Sequence, residues 1–295
     1  MKTPKRIEPL IEDGLVDEVL RPLMSGKEAA VYVVRCGGQL RCAKVYKEAN
    51  KRSFRQASEY QEGRKTRNSR QMRAMAKGSK YGRREAEDAW QSAEVAALFK
   101  LAGAGVRVPK PYDFLDGVLL MEMITDESGD AAPRLNDVEL DADQARRYHG
   151  FLINQIVRML CTGLVHGDLS EFNVLLGPDG PVIIDLPQAV DAAANNHAYS
   201  MLERDVGNMA SYFGQFAPEL RDTRYAPEMW ALFKAGQLHP EAVLTGVFAE
   251  QTESADVHGV MREIEAAKRE EARRQAALRD PQDEPQAEPT PPWMR

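Results

Sequence analysis

One stretch in the middle of the chain constrains its fold more than any other. Residues 164–188 read LVHGDLSEFNVLLGPDGPVIIDLPQ, and they place Asp168 five residues before Asn173 and seventeen before Asp185. The short apolar segments of this stretch are interpreted as strands joined by loops, and the strand 182–184 places Asp185 at its end. The stretch therefore predicts polar side chains presented at strand ends and in loops.

These polar residues fit phosphoryl transfer, in which a protein holds phosphates and Mg²⁺ in place and orients the attacking hydroxyl. Asp168 suits the orienting role, while Asn173 and Asp185 offer the hard oxygen ligands that Mg²⁺ takes beside phosphate oxygens. The spacing matches the pattern H-R-D-x-x-x-x-N, with Gly167 in place of the arginine. The competing interpretation is a buried His–Asp pair in a structural turn, with Asp185 as a cap. The occurrence of Asp168, Asn173 and Asp185 together at the expected spacing favours phosphoryl transfer.

A lysine in a predicted strand supplies a cation for the phosphates. Lys44 lies in the segment CAKVYK, where Ala43-Lys44-Val45 parallels the V-A-I-K pattern. A lysine between apolar neighbours is costly to bury unless it is paired, and Glu94, on the predicted helix 86–102, is the candidate partner. Taken alone, Lys44 would more often be a solvated lysine on an edge strand, but the downstream motif favours the paired role.

The turn Ser25-Gly26-Lys27 precedes the strand 29–34, where a loop that covers a nucleotide belongs. Ser25 and Gly26 offer a hydroxyl and backbone N–H groups to phosphate, and Lys27 adds charge. The turn is neither G-x-G-x-x-G nor a full G-x-x-x-x-G-K-[ST] sequence. Many Ser-Gly turns would look similar.

The order of the predicted elements indicates a two-lobed α+β plan with a natural cleft between the lobes. The expected elements are a short helix over 6–21, strands over 29–34, 40–46 and 118–124, and helices over 86–102, 141–163 and much of 198–250. The expected divisions are a β-rich lobe over 1–121 with a basic insert over 48–88, a hinge over 122–126 and a mainly helical lobe over 127–255. A charged helix over 256–280 and a disordered tail over 281–295 are expected to follow.

The net charge of −6 hides a strongly basic segment. Residues 51–84 carry twelve Lys or Arg and two Glu, a local excess of +10, so the rest of the chain carries −16. An acidic protein with one basic segment often meets a polyanion such as RNA through it. The alternative is a solvated insert without a partner.

The cysteines and the apolar runs bear on the compartment. The three cysteines, Cys36, Cys42 and Cys161, lack metal-ligand spacing, which indicates a reducing compartment without a disulfide framework. The start of the sequence has no apolar stretch that suits a signal peptide, and the apolar runs elsewhere are too short to cross a membrane. We therefore expect a soluble cytoplasmic protein without a membrane partner.

Six segments, taken in order, resemble the RIO family of atypical serine protein kinases, nearest its first subfamily. They are SGKEAAVY, CAKVYK, Trp90 with Glu94, HGDLSEFNVLL, IIDLPQAV and LERDVGNMASYF, and they run from about residue 20 to 215. The resemblance implies a compact two-lobed kinase fold that binds ATP with Mg²⁺ or Mn²⁺. It also implies phosphorylation of a protein substrate or of the chain itself on serine, or an ATPase switch, in a family whose archaeal and eukaryotic members work in ribosome maturation. Ribosomal RNA or the ribosome is then the candidate partner of residues 51–84.

The resemblance further implies roles for single residues, carried over position by position. The catalytic set is Asp168, which would act as the acid/base, with Lys44 and Asn173. The metal set is Asn173 and Asp185. The nucleotide set is Ser25, Gly26, Lys27, Val31, Lys44 and Glu94, with Glu122 and Ile124 in the hinge beside adenine. Asp205 is expected to bond the backbone of the catalytic loop.

Departures from larger kinases and from the family itself sharpen these expectations. No A-P-E triplet follows Asp185, so neither an activation loop nor a peptide-docking subdomain is expected. Gly167 removes the cation that would read an activation-loop phosphate, and Pro187 stands where the family commonly has serine. Two alternatives stay open. One is a small-molecule kinase of the aminoglycoside or choline kinase type, which shares the H-G-D…N…D set but lacks SGKEAxVY; the other is an RNA-binding pseudokinase.

Overall fold

A computed structural model describes residues 3–26, 28–47 and 80–249 of the chain, with the backbone alone described for 80–90. Several predictions fall outside these residues. They concern Lys27, the side chain of Trp90, residues 48–79 of the basic insert, the end of the helical lobe over 250–255, the charged helix 256–280 and the tail 281–295. The described elements belong to one compact unit, Met1–Phe248.

An antiparallel five-stranded sheet forms the first part of the structure. Its strands are β1 (Glu18–Ser25), β2 (Ala29–Cys36), β3 (Gln39–Tyr46), β4 (Pro111–Leu115) and β5 (Val118–Glu122). They lie in the order β1-β2-β3-β5-β4, which places β3 in the centre of the sheet. A central strand is paired on both edges, so Lys44 in β3 is not the edge-strand lysine of the competing interpretation.

The strands predicted over 29–34 and 40–46 are present as β2 and β3, and they pair as a hairpin. Gly37 and Gly38 both take positive φ angles, 57° and 78°, a region that glycine enters without the steric cost of a Cβ. The register across the hairpin pairs Val31 with Lys44. Alternation along β3 leaves Ala43 fully buried, while the neighbouring Lys44 side chain points to the opposite face of the sheet.

The helices are α1 (Glu8–Glu12), α2 (Lys80–Gly103), α3 (Ala142–Cys161), α4 (Ala198–Phe213) and α5 (Tyr225–Lys234). Helix α3 begins with a capping box, in which the Asp141 carboxylate accepts from the Gln144 backbone N–H and the Gln144 side chain accepts in return. The apolar residues that the helical period places on one face of α3 are buried: Leu152, Ile156, Met159 and Leu160. These elements confirm the α+β prediction of a sheet followed by a mainly helical part.

Two short antiparallel strand pairs lie within the helical part. Strand β7 (Val174–Gly177) pairs with β8 (Gly180–Ile183), and β6 (Leu164–Val165) pairs with β9 (Val190–Asp191). They flank the loops that carry the polar residues singled out in the sequence, as the interpretation of short strands joined by loops predicted.

Some predicted bounds were wrong. The helix predicted over 6–21 covers only Glu8–Glu12, because Gly14 turns the chain at φ 73° and the following residues form β1, which pairs with β2. Strand β5 ends at Glu122 rather than at Ile124, and β4 was not predicted as a strand because its first residue is a proline.

Helix bounds also differ from the prediction. Helix α2 begins at Lys80 rather than Ala86, so the last residues of the predicted basic insert are helical despite their few apolar side chains. The predicted helical region 198–250 contains α4, a 3₁₀ turn (Pro218–Asp222) and α5, and residues 235–249 carry no helix. Among the described helices, none has the length and apolarity that crossing a bilayer requires.

One histidine is buried in the helical core away from the polar loops. His149 on α3 is 1% exposed, and its ring packs edge-on against Phe213 at a centroid distance of 5.7 Å and beside Tyr225. Within the described residues, its Nε2 atom has no hydrogen-bond partner. Burial lowers the pKa of His149 to about 4, because the apolar surroundings disfavour the charged ring.

This buried histidine predicts a loss of stability in acid. The folded pKa lies below the ordinary value of 6.5, so the contribution of the neutral His149 ring to stability is fully present above pH 6.5 and is lost as the pH falls to about 4. The shift corresponds to about 3 kcal/mol of unfolding free energy. We expect urea unfolding of His149→Leu to lose less stability over this range than the wild type, with His239→Leu, an exposed histidine, as control. Equal losses in wild type and His149→Leu would contradict the assignment.

Candidate active site

A cavity of about 680 Å³ opens between the sheet and the helical part. Its walls come from β1, β2, β3 and β5 on one side and from the loops around β7 and β8 on the other. Apolar side chains that line it are Leu23, Val31, Leu98, Leu119, Met121, Ile124, Leu175 and Leu186. Polar side chains that line it are Glu28, Lys44, Glu94, Glu122, Arg134, Asp137, Asn173 and Asp185. A cavity with a mainly apolar lining and a few convergent polar groups is the usual form of a small-ligand site.

Lys44 is the central cation of this cavity. Its Nζ atom lies 2.5 Å from Oε1 of Glu94 on α2 and 3.6 Å from Oδ1 of Asp185. Burial by itself would lower the pKa of Lys44, but the negative charges of Glu94 and Asp185 outweigh it and raise the pKa. The lysine therefore stays protonated, and the predicted pairing of Lys44 with Glu94 is present.

The loop that carries Asp168 is fixed from beneath by Asp205 on α4. The Asp205 carboxylate, 1% exposed, accepts from the backbone N–H groups of Gly167 at 2.8 Å and Leu169 at 2.9 Å. Arg204 donates to the Gly167 carbonyl and Asn208 to the Leu169 carbonyl. The expected bonding of Asp205 to this loop is present, and Gly167 takes a φ of 81° that favours glycine at this position.

His166 connects the same loop to the strand that leads to Asp185. Its Nδ1 atom accepts from the backbone N–H of Asp168 at 3.2 Å, so the ring proton is assigned to Nε2, which lies 3.1 Å from the carbonyl oxygen of Ile184. The ring is 2% exposed. One buried imidazole thus links the loop that carries Asp168 to the residue before Asp185.

The Asp168 carboxylate faces solvent beside the cavity. Partial desolvation raises its pKa; the positive charge of Arg204 opposes this rise, and the negative charge of Asp185 adds to it. Oδ2 of Asp168 also accepts from Nε2 of Gln188 at 3.2 Å. The sequence motifs assign Gln188 no role, although it lies in the same IIDLPQAV segment as Asp185.

Asn173 and Asp185 lie on the same side of the cavity. Nδ2 of Asn173 donates to the Asp168 carbonyl at 2.8 Å, which leaves Oδ1 as the atom able to bind a cation. Asp185 takes a left-handed φ of 65°, an uncommon backbone for a non-glycine residue, and its side chain is 50% exposed. Among the described residues, no group of three or more His, Cys, Asp or Glu side chains converges. One carboxylate and one amide oxygen fit Mg²⁺, which usually completes its shell with phosphate oxygens and water.

The last residue of β5, Glu122, forms an ion pair that no sequence motif predicts. Arg107 forms two bonds with Glu122, at 2.8 Å and 3.0 Å, and the Arg107 carbonyl accepts from Ile183 in β8 at 3.0 Å. Burial alone would raise the pKa of Glu122, but the bonds from Arg107 and from the Lys110 backbone lower it. The carboxylate of Glu122 is therefore held by Arg107, while Ile124 turns its side chain into the cavity.

The predicted nucleotide turn is brought only in part to the cavity. Gly26 and Val31 line it, but Ser25 is not among the described lining residues. The Ser25 hydroxyl instead accepts from Lys47 Nζ at 3.2 Å, and Lys47 also donates to the Gly26 carbonyl. Nearby, Nη2 of Arg134 lies 3.2 Å from the Met24 sulfur, a contact that joins the end of β1 to the helical part.

Comparison with known proteins identifies the family. The family model described as RIO domain matches residues 30–226. The RIO-type serine/threonine-protein kinase Rio1 of Haloferax volcanii is 35% identical over 208 residues, which cover 70% of this chain and 67% of that protein. The serine/threonine-protein kinase RIO1 of Homo sapiens is 31% identical over 206 residues, 69% of this chain and 34% of that protein.

A third relative, the RIO-type serine/threonine-protein kinase Rio1 of Thermoplasma acidophilum, is 38% identical over 124 residues, 42% of this chain and 63% of that protein. The matched share of these relatives' own length thus ranges from about two thirds for the Haloferax protein to about one third for the human protein. The match confirms the resemblance drawn from the six sequence segments. The chain belongs to the RIO family of serine/threonine-protein kinases.

Proposed function

We propose that the chain transfers the γ-phosphoryl group of ATP, with Mg²⁺ or Mn²⁺, to a serine of a protein substrate or of the chain itself. The observation that carries this proposal is the convergence of Lys44, Glu94, Asn173 and Asp185 on one cavity, with Asp168 at its edge. Phosphoryl transfer depends mainly on positioning and on charge stabilisation. The paired lysine and the two oxygen ligands supply both at the same place.

The roles follow from the chemistry of each group. Lys44 neutralises phosphate oxygens, and Glu94 keeps the lysine in place. Asn173 and Asp185 hold the divalent cation, which supplies charge to the transferring phosphate when it is bound. As the substrate Oγ forms its bond to the γ-phosphorus and the bond to the ADP oxygen breaks, the hydroxyl proton passes to Asp168.

The base and the phosphates occupy opposite ends of the cavity in this proposal. Val31, Ile124 and the hinge at Glu122 surround the adenine. Because Arg107 engages the Glu122 carboxylate, the hinge offers its backbone groups to the base. Gly26, with Ser25 and Lys27 beside it, covers the phosphates.

We further infer a compact catalytic unit without an activation loop or a peptide-docking subdomain. Only residues 186–197 separate Asp185 from helix α4, which leaves little chain for a long regulatory loop. Asp205 and His166 fix the catalytic loop through backbone bonds, and this supports activity that needs no loop phosphorylation. Lobe boundaries over 1–121, 122–126 and 127–255 remain part of this proposal.

The competing functions differ in the acceptor. If water replaces the serine hydroxyl, the same residues make the chain an ATPase switch. A small-molecule kinase of the aminoglycoside or choline kinase type would use a similar H-G-D…N…D set, but the family match favours a protein substrate. An RNA-binding pseudokinase would not need the Lys44–Glu94 pair or a metal-binding Asp185.

A cytoplasmic location is proposed from the thiols. Cys36, Cys42 and Cys161 are free, and two of the three are buried. Burial raises the pKa of Cys42 to about 12, so this thiol stays protonated although it lines the cavity. Unpaired thiols of this kind suit a reducing compartment.

The first prediction from this proposed function tests the proton acceptor. Asp168→Asn should lower the rate of phosphorylation by at least about a hundredfold, since general-base catalysis contributes on that order. The affinity for ADP should change little because Asp168 does not line the nucleotide cavity. The measurements are incubation with γ-labelled ATP and the fluorescence of a bound ADP analogue.

Asp222→Asn serves as the matched control, since Asp222 is exposed and lies outside the cavity lining. It should behave as the wild type in both measurements. Unchanged turnover in Asp168→Asn would remove the assigned role, and absence of turnover in the wild type with Mg²⁺ and with Mn²⁺ would remove the proposed function.

The second prediction concerns the metal ligands. Asn173→Ala and Asp185→Asn should each raise the Mg²⁺ concentration needed for half-maximal activity, and the loss of the Asp185 charge should have the larger effect. Titration of activity with Mg²⁺ and Mn²⁺ at fixed ATP measures this. A metal dependence identical to that of Asp222→Asn would contradict the assignment.

The third prediction concerns the proposed contact of residues 51–84 with ribosomal RNA. Their sequence charge of +10 carries this proposal. Replacing Arg64, Lys65, Arg67 and Arg70 by serine should weaken binding of a ribosomal RNA fragment and flatten its salt dependence, because fewer counterions are released. Fluorescence anisotropy between 50 and 200 mM salt, roughly the range over which such contacts respond, measures both. If the affinity of the wild type for the RNA did not depend on salt, or if the wild type did not bind, the proposed RNA contact would be contradicted. The interpretation as a solvated insert would then remain.

A further inference from the structure

The second oxygen of the Glu94 carboxylate is held by a tyrosine. Lys44 contacts Oε1 of Glu94, and the hydroxyl of Tyr46 donates to Oε2 at 2.9 Å. Tyr46 lies two residues after Lys44 in β3, so strand alternation points both side chains to the same face of the sheet. Both carboxylate oxygens of Glu94 are therefore bound from one strand.

Packing of its ring and hydrogen bonds of its backbone hold Tyr46 in place. Its side chain is 1% exposed, and its ring meets Phe114 of β4 edge-on, with centroids 6.1 Å apart and planes at 84°. The backbone N–H donates to the Gly117 carbonyl at 3.0 Å, and the backbone carbonyl accepts from Arg6 Nη1 at 3.0 Å. The hydroxyl thus reaches Glu94 from a rigid position in the sheet.

The need for this hydroxyl follows from the burial of Glu94, which is 5% exposed. A buried carboxylate is costly unless its oxygens are bonded, and hydrogen bonds to a charged group are stronger than those between neutral groups. Lys44 satisfies Oε1, and Tyr46 satisfies Oε2. Without the hydroxyl, Oε2 of Glu94 would lose its hydrogen-bond partner, and the carboxylate would be stabilised by turning Oε2 towards solvent. That rotation would move Oε1 away from Lys44.

Helix α2 carries Glu94, so the position of the carboxylate and the position of the helix are linked. The apolar side chains of α2 that lie in the core, Val95, Leu98 and Leu101, are non-directional contacts that tolerate small shifts along or around the helix axis. The bonds from Lys44 and Tyr46 are directional. In kinases with an activation loop, phosphorylation of that loop is one way in which this helix is brought into place.

We propose that Tyr46 is a positioning residue that, through its bond to Glu94, holds helix α2 and Lys44 in the arrangement that phosphoryl transfer requires. The bond lies wholly within the sheet and α2, so it acts without any contribution from the segment after Asp185. This inference rests on the proposed function, and it adds a residue to which neither the sequence motifs nor the family match gives a role.

The fourth prediction tests this with Tyr46→Phe, which removes the hydroxyl and keeps the ring that packs on Phe114. We expect kcat for ATP-dependent phosphorylation to fall about tenfold, the size associated with one hydrogen bond to a charged group. KM for ATP should change less than about threefold, because the apolar walls of the base site stay intact. A fall in KM and kcat by equal factors, or no change in either, would overturn the proposal.

A double-mutant comparison separates action through Glu94 from a general weakening of the fold. In a Glu94→Gln background, adding Tyr46→Phe should lower kcat by less than about twofold, because the group through which Tyr46 acts is already altered. Independent action would give the full tenfold loss again. Tyr212→Phe is the matched control, since the hydroxyl of Tyr212 is also buried and donates to the Leu135 carbonyl at 2.6 Å. It should lower Tm but leave kcat unchanged.

Hydrogen exchange gives a reading that does not depend on catalysis. Backbone amides of residues 91–103 in α2 should exchange faster in Tyr46→Phe than in the wild type and in Tyr212→Phe, because the helix is less firmly held. If the wild type proved inactive while this exchange effect appeared, the proposed function would fail and the Tyr46 bond to α2 would stand. If the α2 amides of Tyr46→Phe exchanged at the wild-type rate, the positioning role would be contradicted, whatever the kinase activity of the variant.

Discussion

The site depends first on a buried ion pair between a sheet and a helix. Lys44 lies on the central strand of the sheet and Glu94 on α2. Burying either charge without the other would strongly destabilise the fold. Their contact fixes how α2 lies on the sheet and directs the lysine towards Asp185. Because the cavity lies beside this pair, the same interaction that satisfies two buried charges also shapes the place where phosphates would be held.

A second constraint acts in the helical part and works through the backbone. Asp205 accepts from two N–H groups of the loop that carries Asp168, and His166 joins that loop to the segment before Asp185. These bonds set the relative positions of Asp168 and Asp185 without any exposed loop. Together with the Tyr46 bond to Glu94, they hold each half of the site by contacts within that half.

Much of this was predictable from spacing. The distances along the chain between Asp168, Asn173 and Asp185, the apolar setting of Lys44, and the helical period around Glu94 each pointed to one chemistry, and the hairpin and α3 followed from local patterns. Local sequence patterns gave the wrong secondary structure where pairing with a distant strand determined it. Residues 18–21 belong to the stretch 6–21 that was predicted as a helix. They instead form the start of β1, because they pair with β2 and Gly14 turns the chain after α1.

The sequence by itself determined the family and indicated the proposed phosphoryl transfer, because the side chains that this chemistry requires occur at characteristic spacings along the chain. The tertiary structure alone decided which groups support them. Tyr46 and Glu94 are 48 positions apart in the chain, and Arg107, which pairs with Glu122, lies in a loop without a repeating sequence pattern. Such contacts depend on directional bonds between buried groups, and their partners are chosen by packing in three dimensions rather than by spacing along the chain.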